Sequence, residues 1–86
     1  MRVVILYHPQ SDHARTVEDY SRDFSHQTGH SIELISLETS DGARMATTYD
    51  IVRYPAILIL NDSGELMKSW QGPIMPLMDE VSFYYQ

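Results

Sequence analysis

Two short runs of this chain are apolar from end to end, and they constrain the fold more than any other feature. They are Val3-Val4-Ile5-Leu6-Tyr7 and Ala56-Ile57-Leu58-Ile59-Leu60, both dominated by branched side chains. Side chains of a strand alternate between the two faces of its sheet, so a strand with no polar position must be covered on both. Helices therefore have to pack above and below the sheet. A chain of 86 residues has room for one such layered unit, a single domain over residues 1–86, and not for two. A domain this size buries only about 60–65% of the surface its unfolded chain exposes, so each packed side chain matters.

The stretches between and after these runs supply the covers. After Tyr7 the segment Ser11-Asp12-His13-Ala14 leads into Val17, Tyr20 and Phe24. The i, i+3, i+7 spacing predicts an amphipathic first helix, with Ser11 or Asp12 able to cap its start and Gly29 to end it. Ile32–Leu37 reads as a second strand, with Ile32, Leu34 and Ser36 on one face and Glu33, Ile35 and Leu37 on the other. Thr39-Ser40-Asp41-Gly42 reads as a loop and cap. Ala43, Ala46, Tyr49 and Ile51 then form a shorter second helix, broken at Tyr54-Pro55. After the strand Ala56–Leu60, Asn61-Asp62-Ser63-Gly64 predicts a hairpin turn and Glu65–Trp70 an edge strand. Gly72-Pro73 leads into a final helix with Ile74, Leu77, Met78, Val81 and Tyr84 on one face. The order is β-α-β-α-β-β-α, an α/β fold with a four-stranded mixed sheet and three helices. Strands joined through a helix should run parallel, and the hairpin adds an antiparallel pair.

Composition narrows the function classes. The formal charge is −6, and an acidic surface repels phosphate backbones, so nucleic acid is not the expected partner. The six basic residues, Arg2, Arg15, Arg22, Arg44, Arg53 and Lys68, are scattered. The longest apolar runs fall far short of the roughly 20 residues of a membrane helix, so no membrane role is expected. Arg2 is followed by only a short apolar run before His8-Pro9, too little for a secretory signal, and the expected location is the cytoplasm. There is no cysteine. The chain itself can offer no disulfide, thiolate metal site or thiol nucleophile.

The element order resembles the thioredoxin/glutaredoxin fold in its minimal four-stranded form, and several residues carry the likeness further. Tyr49-Asp50-Ile51-Val52-Arg53-Tyr54-Pro55-Ala56-Ile57-Leu58-Ile59-Leu60 resembles the thioredoxin stretch that runs from the second helix through a cis-proline into the third strand. Asn61-Asp62-Ser63-Gly64-Glu65 is similar to that family's lysine-asparagine-glycine-glutamate hairpin with one residue added. Gly72 falls where the family has a glycine loop before its last helix. Ser11-Asp12-His13-Ala14 falls at the Cys-x-x-Cys position. The resemblance implies that Ser11 and Ala14 replace both cysteines, and that Ile5 stands where thioredoxins bury a proton-shuttling carboxylate. It implies a fold, not an activity, because the fold hosts many.

Thiol–disulfide exchange needs a thiolate. A serine hydroxyl is a far weaker acid than a thiol, close to water itself, and the at most about 2 kcal/mol that a helix terminus contributes does not close that gap, so Ser11 cannot substitute. The first expectation is thus a redox-inactive binding module for a peptide or protein, without a cofactor and not an enzyme. It would use the Ser11–Ala14 loop with a groove at Tyr54, Pro55, Trp70 and Gly72. In the resembling family the peptide group before the cis-proline offers its backbone to an extended substrate; alternatively Pro55 only shapes a core turn. A second expectation, from the enzyme class, is that Ser11 donates a hydrogen bond to a bound thiolate such as glutathione, as in some glutathione transferases. No helical second domain and no Glu-Ser pair after the fourth strand support it. A third is a structural subunit associating through the last strand or helix, with Phe83 and Tyr85 leaving an apolar patch.

Other constellations are weaker. Ser11, Asp12 and His13 stand too close in sequence to face one another as a catalytic relay. His8, Asp12 and His13, or His26 and His30, could gather at a metal, but solvated histidines are expected and no metal site is predicted.

Overall fold

In the computed structural model, which describes residues 1–85, both apolar runs lie at the centre of one sheet. The strands are β1 (Arg2–Tyr7), β2 (Glu33–Ser36), β3 (Ala56–Leu60) and β4 (Leu66–Gln71), in the spatial order β2-β1-β3-β4. β2 runs parallel to β1, while β3 is antiparallel to both β1 and β4. The register sets Ile5 between Leu34 and Ile57. The architecture is the expected mixed α/β fold with a four-stranded sheet, but only β1 and β2 keep the parallel sense expected of strands joined through a helix. β3, joined to β2 through α2, runs antiparallel to it because it enters the sheet on the far side of β1 from the opposite end.

Alternation divides the core in two. Val3, Ile5, Tyr7, Ile57 and Ile59 point to one face, where Val17 and Phe24 of α1 (Ala14–Thr28) and Val81 of α3 (Met78–Ser82) cover them. Val4, Leu6, Ala56, Leu58 and Leu60 point to the other, under Met45 and Ala46 of α2 (Ser40–Thr48). Every residue from Val3 to Tyr7 and from Ala56 to Leu60 is buried. Ile32 and Ile35 fall on opposite faces as expected, but β2 is an outer strand and Leu34 is left exposed.

Helix ends explain several departures. α1 ends at Gly29 with φ 76°, whose N–H donates to Ser25 O, as its sequence predicts. Neither Ser11 nor Asp12 caps its start. His13 is the residue before the helix; its backbone is already helical and its side chain makes no capping bond. A serine or aspartate cap needs an extended backbone to turn its oxygen onto the first free N–H groups, and the tight turns of this loop deny it. α2 is capped by Thr39, whose Oγ1 accepts from Gly42 N at 3.0 Å, so Ser40-Asp41-Gly42 belong to the helix rather than to a loop. It ends at Thr48, leaving Ile51 buried beyond it, and Asp50 takes a left-handed φ of 57° in the turn.

The last helix is much shorter than the apolar spacing suggests. Residues 73–77 are extended or bent, α3 spans only Met78–Ser82, and a 3-10 turn follows over Phe83–Tyr85. Pro76 is the physical reason: it has no N–H for a helix interior and disfavours helical backbone at Met75. Ile74 and Leu77, expected on the buried face, are 88% and 72% exposed. The segment is fixed instead by Tyr20, whose hydroxyl donates to Pro76 O at 2.9 Å. Burial pushes the Tyr20 phenol up to about 12. No helix among the described residues is long and apolar enough to cross a membrane.

Candidate functional site

β1 delivers the chain to a tight loop over His8–His13, which enters α1 at the end of the sheet. The loop is closed on itself. Ser11 N donates to His8 O at 3.1 Å, and Ser11 Oγ donates to the same carbonyl at 2.6 Å. Ala14 N donates to Ser11 O at 3.2 Å, and His8 N donates to His13 Nε2 at 3.1 Å. Two chemical consequences follow. The Ser11 hydroxyl proton is already engaged with the loop's own backbone, so donating it elsewhere requires giving up this bond. The Nε2 of His13 carries a lone pair facing an N–H, so the neutral ring bears its proton on Nδ1. Burial, then the neighbouring His8, hold the His13 imidazole below its ordinary 6.5, with Asp12 pulling the other way. Asp12 points to solvent and Ala14 is buried in the core as the first residue of α1.

β3 is entered through a cis Tyr54–Pro55 peptide. Around it the backbone is tied to the end of β4. Gly72 N donates to Pro55 O at 3.1 Å, while Val52 N and Arg53 N donate to the Gln71 side-chain oxygen at 3.1 and 3.3 Å. Gly72 adopts φ 116°, and the Arg53 guanidinium lies across it, 3.6 Å from where a Cβ would sit. The Tyr54 hydroxyl donates to Ile51 O at 2.9 Å. In contrast, neither the amide nor the carbonyl of Tyr54 enters a hydrogen bond among the described residues.

The two segments meet through aromatic rings. His8 stands edge-on to Tyr54 with centroids 5.5 Å apart, and His8 and His13 are 6.1 Å apart. Of the residues proposed from sequence, the structure therefore gathers the Ser11–His13 loop with Tyr54, and Pro55 with Gly72. Trp70 is not with them. It packs on the α1–α3 face beside Tyr84, whereas Tyr54 packs on the α2 face, because strand alternation sends Trp70 to the opposite side of the sheet from the Tyr54 wall. Sequence reasoning missed Gln71 and Arg53 as neighbours of this corner, and gave His8 only a metal role. Arg53 was findable from its place beside Tyr54-Pro55; the Gln71 contact depends on the β3–β4 register and leaves no local signal.

The other histidines lie apart. His30 stacks on Tyr85 at 3.8 Å, and His26 sits on the last turn of α1. No group of three or more histidine, aspartate or glutamate side chains is placed to hold a metal among the described residues.

No family model matches the chain, and no curated protein matches it. Among solved structures it is similar to a chain of the crystal structure of a ferredoxin:thioredoxin reductase and thioredoxin f2 complex, with a TM-score of 0.65 and 16% identity. The match covers 98% of this chain and 74% of that one. At such low identity the likeness is one of fold: a three-helix, four-stranded mixed sheet resembling a chain from a thioredoxin-related complex.

Proposed function

We propose that this is a thioredoxin-like domain in its minimal form that binds an extended peptide or protein segment and performs no thiol chemistry of its own. The observation that carries the reading is the Tyr54 backbone. Its N–H and C=O are free while the residues on either side are tied down, which is the arrangement a strand-like ligand needs to form a paired hydrogen bond. His8 and Tyr54 bring two rings beside that pair, and His8 is held there by its hydrogen bonds with Ser11 and His13. Without cysteine the corner has no thiol nucleophile.

Thiolate binding at Ser11 is the weaker reading, since the hydroxyl already donates to His8 O. Both are tested by amide chemical shifts. Titration with a pool of capped, random-sequence hexapeptides should move the amides of His8, Ser11, His13, Tyr54 and Gly72. Silence at those amides at millimolar peptide refutes the binding reading. Millimolar glutathione should leave Ser11 and Tyr54 unmoved; a shift there reverses the preference between the two. Insulin reduction should stay at background, and a pull-down through this site should be lost in Tyr54→Ala.

A further inference from the structure

The α1–α3 face carries a groove beside the free edge of β4. β4 is an outer strand of the sheet, at the edge away from β2. Gly72 N donates to Pro55 O, and ladder bonds alternate, so Trp70 and Lys68 direct their backbone groups to β3. Ser69 and Gln71 therefore turn their N–H and C=O outward, to the free edge. The Lys68 and Trp70 side chains point to the α1–α3 face, and there they form one bank of a groove of about 440 Å³. The other bank is Asp79, Glu80, Phe83 and Tyr84. Trp70 and Tyr84 meet edge-on at 6.1 Å, Phe83 and Tyr84 at 5.5 Å, and Phe83 is 63% exposed.

We propose that this groove binds an extended basic segment of a partner protein, added as a fifth strand beside β4 with an arginine or lysine opposite Trp70. Three features select that occupant. A residue opposite Trp70 on an added strand points to the same face, within about 4.5–5.5 Å at Cβ, and so enters the groove. The groove combines aromatic rings, whose faces attract cations, with two carboxylates, and the whole chain carries a charge of −6. The groove also already receives an ammonium: Lys68 Nζ lies 5.5 Å from the Trp70 ring centroid. The partner's cation takes over that position, and Lys68 swings out to solvent.

Trp70 is the only tryptophan, so its fluorescence reports this site directly. The probe is a capped decapeptide of alternating threonine and valine with one central arginine, compared with the same peptide carrying neutral citrulline. The arginine peptide should shift Trp70 emission and the amides of Ser69 and Gln71, bind about tenfold more tightly than the citrulline peptide, and weaken with salt. The double variant Asp79→Asn, Glu80→Gln should lose that preference with its melting curve intact. Lys68→Ala should bind the arginine peptide more tightly, because it removes the internal competitor. Equal affinity for the two peptides, weaker binding by Lys68→Ala, or shifts confined to His8, His13 and Tyr54 would overturn the proposal. So would a Trp70 signal that follows protein concentration without peptide, which would assign the edge to a second copy of the chain.

Discussion

Gly42 shows how one residue can reverse a general rule. Alanine in place of a helix-interior glycine normally adds about 1 kcal/mol of stability. Here a Cβ would stand 2.0 Å from Ser36 O and 2.8 Å from Ser36 C, both backbone atoms that cannot move aside alone. Gly42→Ala should instead lower the urea unfolding free energy by about 2–3 kcal/mol. The sequence pointed to Gly42 as a loop residue; its role is close approach of α2 to the end of β2, which no local pattern encodes. His13 gives a second prediction at this scale. Its folded-state pKa lies below 6.5, so the unfolded chain binds the extra proton first, and stability is full above pH 6.5 and falls as pH drops below it. Protonation also breaks the bond from His8 N. His13→Gln keeps an acceptor for that N–H, and should flatten the loss of stability between pH 7.5 and 5.5 measured by urea titration.

Among the elements, the best-encoded are those whose pattern and environment agree. β3 and all of β1 beyond Arg2 are apolar and buried; α1 has its apolar stripe and its closing Gly29 where the spacing puts them. The last helix is shorter than its apolar i, i+3, i+4 series predicts because Pro76 lies within that series and its missing N–H outweighs the periodicity. What stabilises that stretch is a distant residue, Tyr20, and its hydrogen bond to Pro76 O crosses the domain. Tyr20→Phe should therefore cost about 1 kcal/mol and accelerate amide exchange over residues 74–78, leaving β1 unaffected. The candidate site was half legible for a related reason. The loop and the Tyr54-Pro55 corner are local motifs and could be named. Trp70 was misassigned because its side of the sheet depends on the phase of β4, which is set by pairing with β3.

For the molecule as a whole, the decisive feature is that two thin cores share the same two strands. Val3, Ile5 and Tyr7 serve one, Val4 and Leu6 the other, so neither face can loosen without exposing the backbone that supports the second. Unfolding should be a single transition: Trp70 fluorescence, reporting the α1–α3 face, and far-ultraviolet circular dichroism, reporting the whole, should give coincident urea curves. Distinct midpoints would mean that the faces unfold separately. The slowest-exchanging amides should lie in β1 and β3. The same topology also offers a route to a partner. His8 and Tyr54 are far apart in the chain and meet only because β1 pairs with β3. A molecule that binds across both has no counterpart of its site in the unfolded chain, so its binding energy is added in full to the folding equilibrium. At a hundredfold excess over Kd that is about 2.7 kcal/mol, or roughly 15 °C in melting temperature for a domain of this size. A plate-based melting screen of metabolites and peptides can thus search for the ligand with no prior idea of what it is.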